Sequence, residues 1–195
     1  MINRAYRATD NCGNVTTVTQ VITVEDTTGP TIAGVPADET VECDAIPTVA
    51  TITATDNCDA NPTTNSVNDV IITGICTGEY VINREYSATD DCGNVTTATQ
   101  VITVIDAQEP TLAGVPVDES VDCGAVPAPG AAIVTATDNC DTNPIIVTMT
   151  EIRTDGACGD DYILVRTWSA TDDCGNVTTA SQSISVSDVT GPTLV

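Results

Sequence analysis

The sequence predicts an all-β chain of tandem sandwiches arranged end to end, and three observations carry that expectation. Threonine, valine and isoleucine alternate in short runs bounded by Gly, Pro, Asn and Asp, the pattern of strands and not of helices. A ten-residue stretch, "ATDNCGNVTT" at 8–17, returns as "ATDDCGNVTT" at 88–97 and again at 170–179. Longer blocks keep the same period: "GPTIAGVPADETVECDAIP" (29–47) returns as "EPTLAGVPVDESVDCGAVP" (109–127), and "ATDNCDANP" (54–62) as "ATDNCDTNP" (136–144). Self-similarity at a fixed spacing marks an array of repeated units.

The period divides the chain into a partial repeat with the last two strands of a unit (1–29), two full repeats (30–109 and 110–191) and the start of a further one (192–195). Met1 aligns with Val81, in the middle of a unit, so the chain reads as a window on a longer array. Within the first full repeat, "TIAGVP" (31–36) and "ETVEC" (39–43) make a broken first strand, and "TVATITATD" (48–56) makes the next. Between Cys58 and Tyr80 there is room for one long strand or two short ones. "YVINREYSATD" (80–90) and "VTTATQVITVID" (95–106) then form a hairpin through "DCGN", where Gly93 supplies the positive φ of a tight turn. Arg4, Arg84 and Arg166 precede Tyr6, Tyr86 and Trp168 by two residues, which puts each pair on one sheet face. The aromatic is expected to anchor core or rim beneath the guanidinium, the alternative being a surface that stacks on a ligand.

Units of about 80 residues bury only about 60% of their unfolded surface, and this chain has no Phe, one Trp and four Tyr to fill a core. The nine cysteines are the other source of stability. They fall at 43, 58, 76 and 92 and again at 123, 140, 158 and 174, with no Cys-x-x-Cys pair and no histidine to suggest zinc. Disulfides are expected instead, and with them an oxidising location outside the cell or in a periplasm. Four cysteines allow three pairings. Because the strands ending at Asp56 and Asp90 arrive at one end of a sandwich, we expect Cys58–Cys92 there and Cys43–Cys76 at the other end, copied as Cys140–Cys174 and Cys123–Cys158. Each would close a loop of about 35 residues and stabilise by about 3–4 kcal/mol. Cys12 is left over, its partner expected upstream.

A net charge of −23, from 28 acids and five arginines with no lysine or histidine, argues against nucleic acid and anionic membranes and in favour of cations. No apolar run is long enough to span a bilayer, and "MINRAYRATD" lacks the apolar centre of a signal peptide. The acids and amides gather where strands end. Asp56, Asp59 and Asn61 share one loop, Asp90, Asp91 and Asn94 another, and the preceding linker brings Glu25 and Asp26. We expect these to meet at a junction between repeats and hold Ca2+, which takes six to eight oxygen ligands. A second junction repeats the set with Asp106, Glu109, Asp138, Asp141, Asn143, Asp172, Asp173 and Asn176. The competing explanation is local, since Asp and Asn favour turns, and Asp10, Asp90 and Asp172 suit turn caps. Asn14, Asn94 and Asn176 each begin an Asn-Val-Thr sequon, a glycosylation signal in a eukaryotic secreted protein or simply a turn residue after Gly.

No histidine base or lysine amine is present, and the carboxylate clusters recur from unit to unit, so no enzyme is expected. The lack of lysine also excludes lysine–asparagine isopeptide crosslinks. The motifs "YSATDDCGN" and "WSATDDCGN", followed by "VTTATQVITVID", a unit-opening proline and "GVPADETVEC", resemble the hyalin-repeat (HYR) and HYR-like immunoglobulin-type modules. In its four-cysteine form the pattern is similar to arrays in large cell-surface proteins of Bacteroidota, including gliding and adhesion proteins. The resemblance covers the whole chain and implies immunoglobulin-like sandwiches with an adhesive role. The expected function is therefore a structural repeat of an extracellular adhesin or filament, each unit advancing a rod by about 35–45 Å and contacting neighbouring repeats or other copies. The alternative is a multivalent repeat that binds surface glycans or a receptor, with Trp168 near a loop end as its best support.

Overall fold

The structure, a computed structural model, describes residues 1–130, 133–143 and 145–191. The expected start of a further repeat at 192–195 lies outside the described residues. Among the described residues every regular element is a strand, and no helix is long and apolar enough to cross a membrane.

The hairpin β1 (Ile2–Thr9) and β2 (Val15–Ile22) comes first. It is followed by β3 (Thr31–Ala33), β4 (Glu39–Glu42), β5 (Thr53–Thr55), β6 (Thr63–Thr73), β7 (Tyr80–Thr89) and β8 (Val95–Ile105). The same series returns as β9 (Thr111–Ala113), β10 (Glu119–Asp122), β11 (Thr135–Thr137), β12 (Val147–Asp155), β13 (Tyr162–Thr171) and β14 (Val177–Ser187). Each series makes a two-stranded sheet, β3–β5 or β9–β11, and a four-stranded one, in the order β4-β8-β7-β6 or β10-β14-β13-β12. β1–β2, β3–β5, β9–β11, β12–β13 and β13–β14 pair antiparallel, whereas at one edge β4 runs parallel to β8 and β10 to β14, so that Glu39 faces Ile102 and Glu119 faces Ile184. The strands that precede them are broken by "GVP", where Gly34 and Gly114 take positive φ (88° and 83°). The freed edge is then fastened by acids: Asp38 accepts the Val101 N–H at 2.8 Å, and Asp118 accepts that of Ser183 at 2.7 Å.

Contacts group the chain into two compact units. One contains Met1–Pro36, Val49–Asn68 and Arg84–Gln100, and the other Ala37–Thr48, Asp69–Asn83 and Val101–Val195. The division falls inside the first full repeat, so each unit combines segments of successive repeats. The second unit has two apolar clusters: Ile82, Ile102 and Val104 with Val41, Cys43 and Tyr80, and Leu164, Ile184 and Val186 with Val121, Val126 and Tyr162.

Period two decides which side chains face inward. On β13 these are Leu164, Arg166, Trp168 and Ala170, and on β14 Gln182, Ile184 and Val186. The expected arginine–aromatic pairing on one buried face is therefore present on β13, whereas Tyr6 on β1 is 55% exposed and not an anchor. Trp168 is 5% exposed and Tyr86 0%. That leaves neither ring open to stack on a ligand. Arg166 is buried with its charge matched, donating to Glu151 Oε2 at 2.7 Å and to the Pro127 carbonyl at 2.6 Å. In the first unit the Tyr86 hydroxyl accepts the Ala50 N–H at 3.4 Å and donates to Gln100 Oε1 at 3.5 Å. That contact accounts for a difference from expectation. The strand expected over 48–56 is only β5, because the Ala50 N–H turns to a side chain instead of a ladder. One long strand, β6, fills the interval before Tyr80.

Removing the partner of a buried guanidinium leaves its charge unmatched. Glu151→Ala is expected to destabilise the chain by about 1.5–3 kcal/mol. The shift in urea midpoint, followed through the fluorescence of the single tryptophan, measures it.

Candidate metal centre and disulfides

The site is built from turns. In the β7–β8 turn the Asp90 N–H donates to the Asn94 carbonyl and the Gly93 N–H to the Asp90 carbonyl, both at 3.1 Å, with Gly93 at φ 87°. Asn94 grips both carboxylate oxygens of Asp90, through its backbone N–H and its Nδ2, each at 2.8 Å. Asp172 with Asn176 and Asp10 with Asn14 repeat the arrangement. The turn-cap role of these aspartates is thus real. Asn14, first through its side chain and then its backbone, holds the Asp10 carboxyl below the usual range. For Asp90, burial pushes upward, but the bonds from Asn94, Cys92 and Gly93 outweigh it and the carboxyl again lies low.

The same asparagines reach further. Asn94 Nδ2 donates to the Asp26 carbonyl and Asn176 Nδ2 to the Asp106 carbonyl, both at 3.2 Å, fastening the end of the preceding strand to the turn. In both sequons the nitrogen a glycan would need is occupied by two acceptors. The loops after β5 and β11 are wound around their own aspartates. Asp56 Oδ1 accepts from Cys58 and Asp59 at 2.8 and 3.0 Å, and Asp138 Oδ1 from Cys140 and Asp141 at 2.8 and 3.1 Å. The backbone bond from Cys58, then that from Asp59, sets the Asp56 carboxyl low.

These turns converge. In the first unit, carboxylate oxygens of Asp26, Asp56 and Asp90 lie within 4.8 Å of one another, and in the second those of Asp106, Asp138 and Asp172 do the same. Asp90, Asp106 and Asp172 are each 6% exposed, and the Oδ2 of Asp106 is buried without a hydrogen-bond partner. Burial first, and then the charges of Asp138 and Asp172, push its carboxyl above the usual range. The other expected ligands serve the loops. Asp59 accepts the Asn61 N–H at 2.8 Å and the Asp91 N–H at 3.0 Å, and all three line a cleft with Asp26, Cys58 and Cys92. Asp141 accepts from Asn143 at 2.8 Å and from Asp173 at 3.3 Å, while Asp173 accepts from Asn143 Nδ2 and Thr77 Oγ1 at 3.2 and 2.9 Å.

Sequence reasoning missed Glu42. Its carboxylate, that of Asp106 and the Cys140 sulfur lie within 4.8 Å of one another, and Glu42 Oε2 accepts the Ala107 N–H at 3.3 Å. The signal was an acid immediately before a cysteine, in "VEC" and again in "VDC". The second copy supplies a matching group, Asp122, Cys123 and Asp188.

The cysteine pairing differs from expectation. Cys43 is bonded to Cys140 and Cys76 to Cys174, with Cα–Cα distances of 5.7 and 5.1 Å and sequence separations of 97 and 98. The expected Cys43–Cys76 and Cys140–Cys174 bonds are replaced. Cys58 and Cys92, and likewise Cys123 and Cys158, are unbonded and exposed, as is Cys12. Cys58 and Cys92 do come to one cleft, as the strand directions required. The error lay in confining each bond to one repeat, when the sulfur that completes it belongs to the next. Gly78 shows how closely the parts meet. At φ 95°, a Cβ there would lie 2.8 Å from Cys140 Cβ and 3.3 Å from Asp106 Cβ.

Gly78→Ala should therefore cost at least about 1 kcal/mol through its backbone conformation alone, with crowding of Cys140 added. A fall in the calorimetric Tm of the oxidised chain is the expected reading.

No family model matches the chain, and no curated protein matches it. Among solved structures, Drosophila N-cadherin EC1-3 is similar at 18% identity over 83% of this chain and 68% of that one, with a TM-score of 0.30. Human mucin-like protocadherin EC1-2 is similar at 12% identity over 82% of this chain and 99% of that one, also at a TM-score of 0.30.

Proposed function

We propose that this chain is a stretch of an extracellular structural array, an adhesin or filament of a cell surface. In it, repeats 30–109 and 110–191 are joined by disulfides and stiffened by Ca2+ into a rod without enzymatic activity. One observation carries the metal reading: Asp106 Oδ2 is buried without a partner among other carboxylates. A buried carboxylate oxygen left unmatched is costly, and a hard cation is the ligand that would match it. Glu42, Asp106, Asp138 and Asp172 would hold the ion in the second unit, and Asp26, Asp56 and Asp90 in the first. Asp59, Asn61, Asp91, Asp141, Asn143 and Asp173 would keep the loops in place around it. The donor set suits calcium and not zinc, since it is all oxygen with no histidine and the nearest sulfur, Cys140, is in a disulfide.

The resemblance to hyalin repeats supports an adhesive setting, and the disulfides support an oxidising one outside the cell. The burial of Trp168 removes the main support for glycan binding. Neighbouring repeats are the partners this reading favours.

Melting curves with millimolar calcium and with chelator test it. Binding at 100 times Kd would add about 2.7 kcal/mol, so calcium should raise Tm by several degrees, and magnesium by less. Asp106→Asn removes the unmatched charge. It should therefore melt higher than the parent chain in chelator, yet gain less from calcium. Identical parent curves with and without the ion would end the metal reading.

A further inference from the structure

Every cysteine of the two full repeats has a counterpart 80 or 82 residues away: Cys43 with Cys123, Cys76 with Cys158, Cys58 with Cys140 and Cys92 with Cys174. The two bonds observed use the Cys43 and Cys76 positions of one repeat and the Cys140 and Cys174 positions of the next. Carried one period in either direction, the same rule accounts for each remaining thiol. Cys123 and Cys158 occupy the forward-facing positions, and Cys58 and Cys92 the backward-facing ones. Cys12 is the earlier counterpart of Cys92. All five are unbonded and exposed.

The surroundings repeat as well. Asp122 and Asp188 stand beside Cys123 as counterparts of Glu42 and Asp106, and Cys58 and Cys92 share a cleft with Asp26, the other counterpart of Asp106. We propose that Cys58 with Cys92, and Cys123 with Cys158, are open halves of the double disulfide seen between Cys43, Cys76, Cys140 and Cys174, each closed by a further repeat of this type. Cys123 and Cys158 take the Cys140 and Cys174 counterparts of a following repeat. Cys58 and Cys92 take the Cys43 and Cys76 counterparts of a preceding one. The closing repeat is either a continuation of the polypeptide or part of a second copy.

Each bond joins two thiols and releases two protons and two electrons, which reduce a disulfide oxidant such as oxidised glutathione to two thiols. The thiolate is the attacking form, so closure should quicken as the pH rises.

The test uses the full chain extended after Gly191 by a second copy of residues 110–191, oxidised with oxidised glutathione at mildly alkaline pH, alkylated, and mapped as non-reduced peptides. The expected map joins Cys123 and Cys158 to the added copy's counterparts of Cys140 and Cys174 and leaves Cys12, Cys58 and Cys92 alkylated. In the unextended chain, a monomer should leave Cys123 and Cys158 alkylated. If that chain remains monomeric, the closing repeat is a continuation of the polypeptide, whereas bonds from Cys123 or Cys158 of one copy to Cys58 or Cys92 of another assign it to a second chain. The Cys43–Cys140 and Cys76–Cys174 peptides report correct folding, and their absence removes the basis of the proposal. With them present, a Cys58–Cys92 or Cys123–Cys158 bond inside one repeat overturns it, as does alkylated Cys123 and Cys158 in the extended chain. The map is read without calcium, so it stands or falls separately from the metal reading.

Discussion

Carboxylates of like charge do not gather unaided, and the arrangement of this chain depends on what holds them together. Asp106, Asp138 and Asp172 come within 4.8 Å in a molecule whose net charge is −23. Three kinds of restraint oppose their repulsion. Backbone N–H groups of the tight turns donate to the carboxylates of Asp138 and Asp172. Asn176 ties the Asp172 turn to the carbonyl of Asp106. The bonds Cys43–Cys140 and Cys76–Cys174 then fix the segments covalently. The Oδ2 of Asp106 is buried and satisfied by none of these restraints.

The sheets beneath the turns are economical. Polar residues interrupt the apolar inward positions, so Leu164 and Trp168 are separated by Arg166, and Ile184 is preceded by Gln182. A core of this kind has few large side chains to bury, and much of its specificity comes from matched polar contacts. Gln182 Nε2 donates to the Val117 carbonyl at 2.8 Å, and Arg166 to Pro127 and Glu151. Cross-links matter more in a thin core, because they limit the freedom of the unfolded chain.

Much of this was legible in the sequence because it is local. Alternation placed β7, β8, β13 and β14, and "DCGN" placed their turns, since Gly93 and Gly175 are required by backbone geometry. The convergence of Asp26, Asp56 and Asp90 followed from strand direction. Glu42 was overlooked because it lies at the end of a strand and not in an acid-rich turn. The sulfur partners were hidden for a different reason. In an array of near-identical units, spacing is unchanged when one partner is shifted by a whole repeat, so no pattern within a repeat separates a bond made inside it from one made to its neighbour. The short β5 was hidden by a tertiary contact, the hydroxyl of Tyr86 lying 36 residues away.

The two disulfides close a covalent ring through Cys43, Cys76, Cys174 and Cys140. Under tension from its ends, the chain has two parallel load paths across this ring, each about 33 residues long. The stretch from Thr77 to Asn139 carries no load. Breaking either sulfur bridge leaves the other path intact and adds almost no length. Only the loss of both releases the hidden 97 to 98 residues, roughly 330 Å of slack when fully extended. A chain linked in this way is nearly inextensible until two independent bonds have failed.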